Sequence, residues 1–265
     1  PGTYTLTVKY KENGIICDPD KHLIVTAGAT QALMLAMVTL VNPGDEVIIQ
    51  GPNWPDYRGQ IDMVNAKTVY AKVDEKNDFK MTAEVIEPLI TDKTKLIIIN
   101  SPSNPTGGIM ERRDLEAIAE VLRGTDILVL SDEIYAELTY GQRHVSMANI
   151  TDMYDRTIVV NGFSKAYSMT GWRLGWVCGN ALAVKAFATV KNNADSGQFL
   201  AIQKAAIAAL DDQATITPAI SEKYERRLTS MVETLKKLGF NAKVPAGSFY
   251  LYVKAPKASS DGTVF

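Results

Sequence analysis

The chain has 265 residues, 46% of them hydrophobic and 22% charged, ample for one large or two modest globular domains and too apolar for a disordered chain. Its 28 Lys and Arg nearly balance 30 Asp and Glu, for a net charge of −2, so no basic block is available to hold nucleic acid. No apolar run approaches the roughly 20 residues needed to cross a bilayer, no signal peptide opens the chain, and two cysteines, Cys17 and Cys178, give no disulfide framework and fit a reducing, cytoplasmic setting.

Taken in chain order, Thr30–Val41 is apolar almost all round and predicts a buried helix. Val47–Gln50 follows as a strand between Pro43-Gly44 and Gly51-Pro52. Further short Val/Ile/Leu runs, suited to strands covered on both faces, lie at Lys67–Val73, Leu96–Asn100, Ile127–Ser131, Thr157–Asn161 and Leu174–Cys178. Helices are predicted over Thr82–Thr91, Glu111–Arg123, Ala181–Asn192 and Gln198–Leu210. A longer one runs from Pro218, a good first-turn residue, to Lys237 before Gly239. Strands and helices in alternation predict an α/β layered fold. After Gly239 the texture changes, and Asn241–Val244 and Phe249–Val253 read as strands of a second, smaller unit. Both ends, Pro1-Gly2 and Val264-Phe265, read as cut from a longer chain.

Four clusters stand at predicted strand ends or helix starts, where open α/β sheets bind their ligands. Gly28-Ala29-Thr30 opens the apolar helix, and its free N–H groups and the Thr30 hydroxyl suit a phosphate; a plain cap fits the same residues. Ser101-Pro-Ser-Asn104-Pro-Thr-Gly-Gly108 makes a rigid turn after a strand, in an order more specific than an ordinary loop requires. Asp132 closes an apolar strand, where an ionised carboxylate needs a cation or several hydrogen bonds. Tyr135 faces the same pocket if a helical turn starts there, and a helix cap is the plain alternative. Lys165, in Gly162-Phe163-Ser164-Lys165, follows the next strand, where burial and nearby positive charge favour a neutral amine; alone it reads as a surface lysine. Trp54, within Gly51-Pro-Asn-Trp-Pro-Asp-Tyr57, adds an aromatic slab, and Arg173 lies eight residues beyond Lys165.

That set, in that order, resembles the fold-type I, pyridoxal-phosphate-dependent aminotransferases of class I/II. Ser-Asn-Pro-Thr-Gly and Ser-Lys-x7-Arg carry the likeness, which runs from about Gly2 to Val253. The resemblance implies a three-layer αβα sandwich with a mostly parallel central sheet over residues 1–215, and part of a smaller α+β domain over 216–265. It implies pyridoxal 5'-phosphate as cofactor, a Schiff base on Lys165, and transamination between an L-amino acid and a 2-oxo acid. Asp132 would pair with the pyridine nitrogen, Asn104 and Tyr135 would hydrogen-bond the phenolate oxygen, and Trp54 would stack on the ring. Gly28, Ala29, Thr30, Ser164 and Arg173 would hold or border the phosphate. The same resemblance implies a homodimer when full length, with no nucleic-acid, membrane or metal partner.

The departures bear on function. Gly162 stands where the family often has a hydroxyl that donates to the phosphate. The family's N-terminal tyrosine and its substrate-clamping arginine would lie outside Pro1–Phe265, so this chain is expected to be a poor transaminase as it stands. The donor stays open. Asn193-Ala-Asp195-Ser-Gly197 followed by Gln203 resembles the LL-diaminopimelate branch, while the rest fits aspartate-, alanine- or aromatic-preferring members, and aspartate-like or broad specificity is favoured. A β-lyase of the cystathionine type uses the same lysine and electron sink. A cofactor-sensing domain of a transcription regulator would require a basic N-terminal module. His22 and His144 read as surface residues, Cys17 and Cys178 lack metal-ligand spacing, the methionines read as core filling, and Glu133 is expected to point away from the site.

Overall fold

The structure, a computed structural model, describes Ile15 and residues 17–255. Seven strands form one sheet: β1 (Leu23–Thr26), β2 (Glu46–Gly51), β3 (Lys67–Lys72), β4 (Thr94–Asn100), β5 (Leu128–Asp132), β6 (Thr157–Gly162) and β7 (Gly175–Gly179), in the order β1-β7-β6-β5-β4-β2-β3. β7 runs antiparallel to both its neighbours, and the other pairings are parallel. Helices α1 (Gly28–Leu40), α2 (Asp56–Met63), α3 (Ala83–Ile86), α4 (Arg112–Leu122), α5 (Ala181–Ala194), α6 (Leu200–Asp211) and α7 (Gln213–Lys237) complete the elements used below.

The two-residue period of the strands sorts the layers. Val47, Ile49, Ile98, Ile158 and Val160 turn to one face and pack against Leu33 and Met37 of α1, Ile61 of α2 and Phe187 of α5. The alternate residues Ile48, Ile97, Ile99 and Val129 turn to the other, against Leu115, Ile118 and Leu122 of α4. Val159 and Trp176 continue that second face and meet Ala206, Ala209 and Leu210 of α6. Both faces are covered, which gives the expected three-layer sandwich with a mostly parallel sheet.

Most predicted elements lie within one or two residues of those observed, and the departures have local causes. The helix expected over Thr82–Thr91 is one α-turn followed by a 3₁₀ turn at Glu87–Leu89, because Pro88 has no N–H to continue the ladder. The long helix starts at Gln213 rather than Pro218. Thr215 and Ile216 already donate to the Asp212 carbonyl, and Pro218 forfeits only the bond to the Ala214 carbonyl. This helix runs across residue 215. Asn241–Val244 and Phe249–Val253 are not strands. Their neighbourhood bonds to loops instead, with Tyr140 N–H donating to Ala246, Ser248 N–H to Leu138 and Gly247 N–H to Gly107, leaving a single bridge between Thr139 and Gly247. β1 and α2 lie outside the predicted elements.

Candidate functional site

The carboxyl ends of β1, β4, β5 and β6 and the start of β7 share one edge of the sheet, and the connections leaving that edge enclose a solvent-open cleft, where apolar walls carry a few convergent polar groups as small-molecule sites do. One residue, Ala27, separates β1 from α1, so the helix presents its first turn to the cleft, and no side chain of Ala27 caps its leading N–H groups. Ala29 and Thr30 line the wall there, and Arg173 stands beside them. Gly28 does not itself line the cleft; its backbone makes room for the guanidinium. It has φ of +75°, a conformation that favours glycine, and a Cβ on it would fall 2.6 Å from Arg173 Nη2 and displace the guanidinium. Gly175 repeats the demand from the strand side, where a Cβ would sit 2.7 Å from the Ala29 nitrogen.

At the opposite end lies Asp132, the last residue of β5 and fully buried. Its Oδ2 accepts a 2.5 Å hydrogen bond from the Tyr57 hydroxyl, and Oδ1 accepts from the Ile134 N–H at 3.2 Å. Burial pushes its carboxyl up to about 6; the Tyr57 and Ile134 donors oppose that rise, and neighbouring Glu133 adds to it. Tyr57 is itself pushed well above a phenol's usual range, by burial first and then by Asp132. Tyr135 faces the cleft as expected. Burial raises its phenol, Tyr250 raises it further through a 3.4 Å hydroxyl contact, and a hydrogen bond with Asn104 works the other way. Asn104 is held by the turn after β4, where its N–H donates to Asn100 Oδ1 at 2.8 Å while Asn100 Nδ2 donates to the Asp132 carbonyl at 3.1 Å.

Lys165 lies between the two ends, on the segment after β6. Burial lowers its ammonium pKa, the Arg173 guanidinium lowers it further, and Asp132 opposes; its Nζ rests 5.2 Å from the centre of the Phe249 ring. Trp54 stands on the wall, edge-on to Tyr57 at 5.3 Å between ring centres, and buried Ser164 completes the lining beside Lys165. Nine of the ten expected residues therefore line one cleft, with the tenth, Gly28, directly behind it. Gly162 is closely packed: a Cβ there would meet the Leu174 carbonyl at 3.0 Å and the Gly175 Cα at 3.1 Å, so the hydroxyl residue often found at this place would require its neighbours to give by a few tenths of an ångström.

Tyr57, Asn100 and Tyr250 also line the cleft and were not foreseen. Tyr57 had a signal: three residues after Trp54, it shares that residue's face once the segment turns helical. Glu133 points away from the cleft, accepting from Ser131 Oγ at 2.9 Å and Ser146 Oγ at 2.5 Å. The histidines are not surface residues. His144 has a side chain only 12% exposed, with Nε2 3.2 Å from Glu133 Oε2, and half-buried His22 accepts from the Asp18 N–H at 3.1 Å. Met63 and Met231 are exposed rather than core filling, being on the outer faces of α2 and α7.

The donor set fits an aromatic phosphate-bearing group: an anion cradle at one end, a buried carboxylate able to meet a ring N–H at the other, and an amine between them. Residues 4–262 match the family model described as "Aminotransferase class I and II". The chain is 39% identical over 248 residues to the LL-diaminopimelate aminotransferase of Methanococcus maripaludis, covering 94% of this chain and 59% of that one. It is 38% identical over 258 residues to the aspartate aminotransferase of Bacillus subtilis, covering 96% and 66% respectively. It thus spans roughly three fifths to two thirds of these curated relatives. Among solved structures, the aspartate aminotransferase from Thermus thermophilus with maleate superposes with a TM-score of 0.94 at 32% identity, over 99% of this chain and 69% of that one.

Proposed function

Because the chain belongs to the class I and II aminotransferase family, we propose that it serves pyridoxal-phosphate-dependent transfer of an amino group between an L-amino acid and a 2-oxo acid. The observation that carries this reading is the placement of Lys165, its ammonium pKa depressed by burial and by Arg173, in one cleft with buried Asp132 and the Gly28–Arg173 cradle. When bound, pyridoxal 5'-phosphate supplies an electron sink. The chain's residues do the rest. Lys165 would be the residue that holds the cofactor covalently and, when free, would carry the proton to and from the substrate Cα, work that requires a neutral nitrogen near pH 7. Asp132 would hold the proton on the ring nitrogen, Asn104 and Tyr135 would donate toward the phenolate, and Trp54 would pack on the ring face. Ala29, Thr30 and Arg173 would hold the phosphate, with Ser164 at its border.

Aspartate-like or broad donor specificity is our preferred reading, supported by the likeness to the Bacillus subtilis enzyme; LL-diaminopimelate is the alternative that the Methanococcus relative supports. The division into a cofactor domain up to residue 215 and part of a small domain after it belongs to the same reading. So do a cytoplasmic setting and a homodimer of the full-length protein, to which the exposed Leu182, Phe199 and Leu200 offer apolar surface. Among the described residues no helix is long and apolar enough to cross a membrane.

Borohydride reduction of the chain with pyridoxal 5'-phosphate, followed by peptide mass spectrometry, is expected to place the label on Lys165, and Lys165→Ala to abolish it. A reduced adduct that persists in that variant would remove Lys165 from the reading. Loss of cofactor absorbance on adding aspartate or LL-diaminopimelate separately then ranks the donors.

A further inference from the structure

The linker between α5 and α6 reaches back to the first turn of α1. Gln31, one residue beyond Thr30, accepts the Ala27 N–H on its Oε1 at 2.7 Å and donates from Nε2 to Asp195 Oδ2 at 2.6 Å. The other oxygen of Asp195 accepts from Lys191 Nζ at 2.5 Å and from the Gly197 N–H at 2.9 Å. Lys191 is buried, and its hydrogen bond is the largest cause holding the Asp195 carboxyl below its usual range. We propose that Asp195 is a positioning residue for phosphate recognition, acting through Gln31 on the start of α1. This deepens, and rests on, the reading of the cleft as a site for a phosphorylated cofactor.

The argument is one of donors and acceptors. A glutamine amide can lie either way round, and only its partners decide which end is oxygen. A carboxylate accepts only, so Asp195 draws the NH2 end toward itself and leaves Oε1 facing Ala27. That oxygen satisfies the Ala27 N–H. No side chain caps α1 from Ala27 itself, so the first-turn N–H groups of Ala29 and Thr30 stay available to a ligand. Pinning Ala27 also sets the chain entering Gly28, whose backbone is tightly packed against Arg173. The bond between Gln31 and Asp195 joins residues 164 apart in sequence, so local structure does not require it.

Charge alone predicts the opposite. A carboxylate close to an anion site repels the anion, and removing it while leaving Lys191 in place would strengthen phosphate binding. The sign of the change therefore separates positioning from simple electrostatics.

The test measures dissociation constants of pyridoxal 5'-phosphate and of unphosphorylated pyridoxal, by equilibrium titration of the chain and its variants. Asp195→Asn is expected to weaken the phosphorylated compound by about tenfold, the loss of roughly one charge-assisted bond's worth of order. Pyridoxal should move less than about twofold if the effect is confined to the phosphate end. Gln31→Glu combined with Asp195→Asn again sets every donor against an acceptor. That pair should bind the phosphorylated compound more tightly than the two single changes combined would give. Unchanged or tighter binding in Asp195→Asn, equal losses for both compounds, or strict additivity in the double variant would each overturn the proposal. An unsubstituted chain indifferent to the phosphate would overturn the cofactor reading and this proposal together, whereas a preference that Asp195→Asn leaves intact would overturn this proposal alone.

Discussion

At the Asp132 end the cleft is walled by side chains taken out of water, Asp132, Tyr57 and Tyr135 all being buried. At the Gly28–Arg173 end it is walled by backbone, with Thr30 and Arg173 exposed. The costs differ accordingly. A buried carboxylate must be paired or protonated, so the inner end is tuned by which hydrogen bonds reach Asp132. Exposed charge is cheap and screened, so the outer end is tuned by shape, and two glycines hold the closest approaches. Substitutions that change charge should matter most inside, and substitutions that add atoms should matter most outside.

Asp132→Asn is expected to have the largest effect. The folded carboxyl at about 6 lies above the unfolded value of 3.8, so between those values the folded chain holds more protons than the unfolded one. Stability therefore falls as pH rises through that window, and above it Asp132 costs on the order of 3 kcal/mol. Urea titrations of the cofactor-free protein should find Asp132→Asn close to neutral at pH 4 and stabilising at pH 8. In the loaded enzyme the same change should slow proton removal by about 10²-fold or more. An equal effect at both pH values would show that Asp132 does not titrate in this window. Tyr57→Phe sharpens the point, because it removes a donor that opposes the rise. It should cost about 1.5–3 kcal/mol at pH 8, cost less at pH 4, and move the titration midpoint above about 6.

Outside, Gly28→Ala adds one carbon where φ is positive and where the Arg173 guanidinium would have to shift to admit it. A loss of about 1–2 kcal/mol is expected in thermal unfolding, with weaker binding of pyridoxal 5'-phosphate and little change for pyridoxal. Arg173→Lys should be the mildest. It keeps the charge and loses the fork, so binding of the phosphorylated compound should weaken only by about threefold to tenfold, less so at high salt. If Arg173→Lys proved costlier than Asp132→Asn, the contrast between the two ends would be reversed.

The sequence was most informative where one residue type performs one task. Asp132 after an apolar strand, Lys165 after the next and glycine at 28 each allow a plain reading alone, and it is their set and order, with the family resemblance these carry, that singles them out. The layers were legible from β-branched runs alternating with amphipathic stretches. What stayed hidden needed a partner. Tyr57 is an ordinary aromatic until Asp132 is known to be 2.5 Å away. His144 reads as a loop histidine until Glu133 folds back beside it. The residues after Gly239 have the composition of strands, but strands exist only in pairs, and these residues met loops. Gly162 looked like a missing hydroxyl; the structure presents it also as a point where β6 and β7 pack closely, a Cβ there lying 3.0 Å from the Leu174 carbonyl.

That close packing has a mechanical consequence. Gly162 pairs with Gly175, and the Phe163 N–H donates to the Leu174 carbonyl, so residues 163–174 form a loop clamped at its base. Lys165 and Arg173 both ride on this loop, one near each leg. A ligand fastened to the amine and gripped by the guanidinium, as proposed above, would be held by two jaws of one calliper, whose base is stitched into the interior of the sheet. The gauge between the jaws depends on the number of residues in the loop. A single inserted or deleted residue between 163 and 174 would reset that gauge, whereas a length change in the exposed turn between α6 and α7 would leave it untouched.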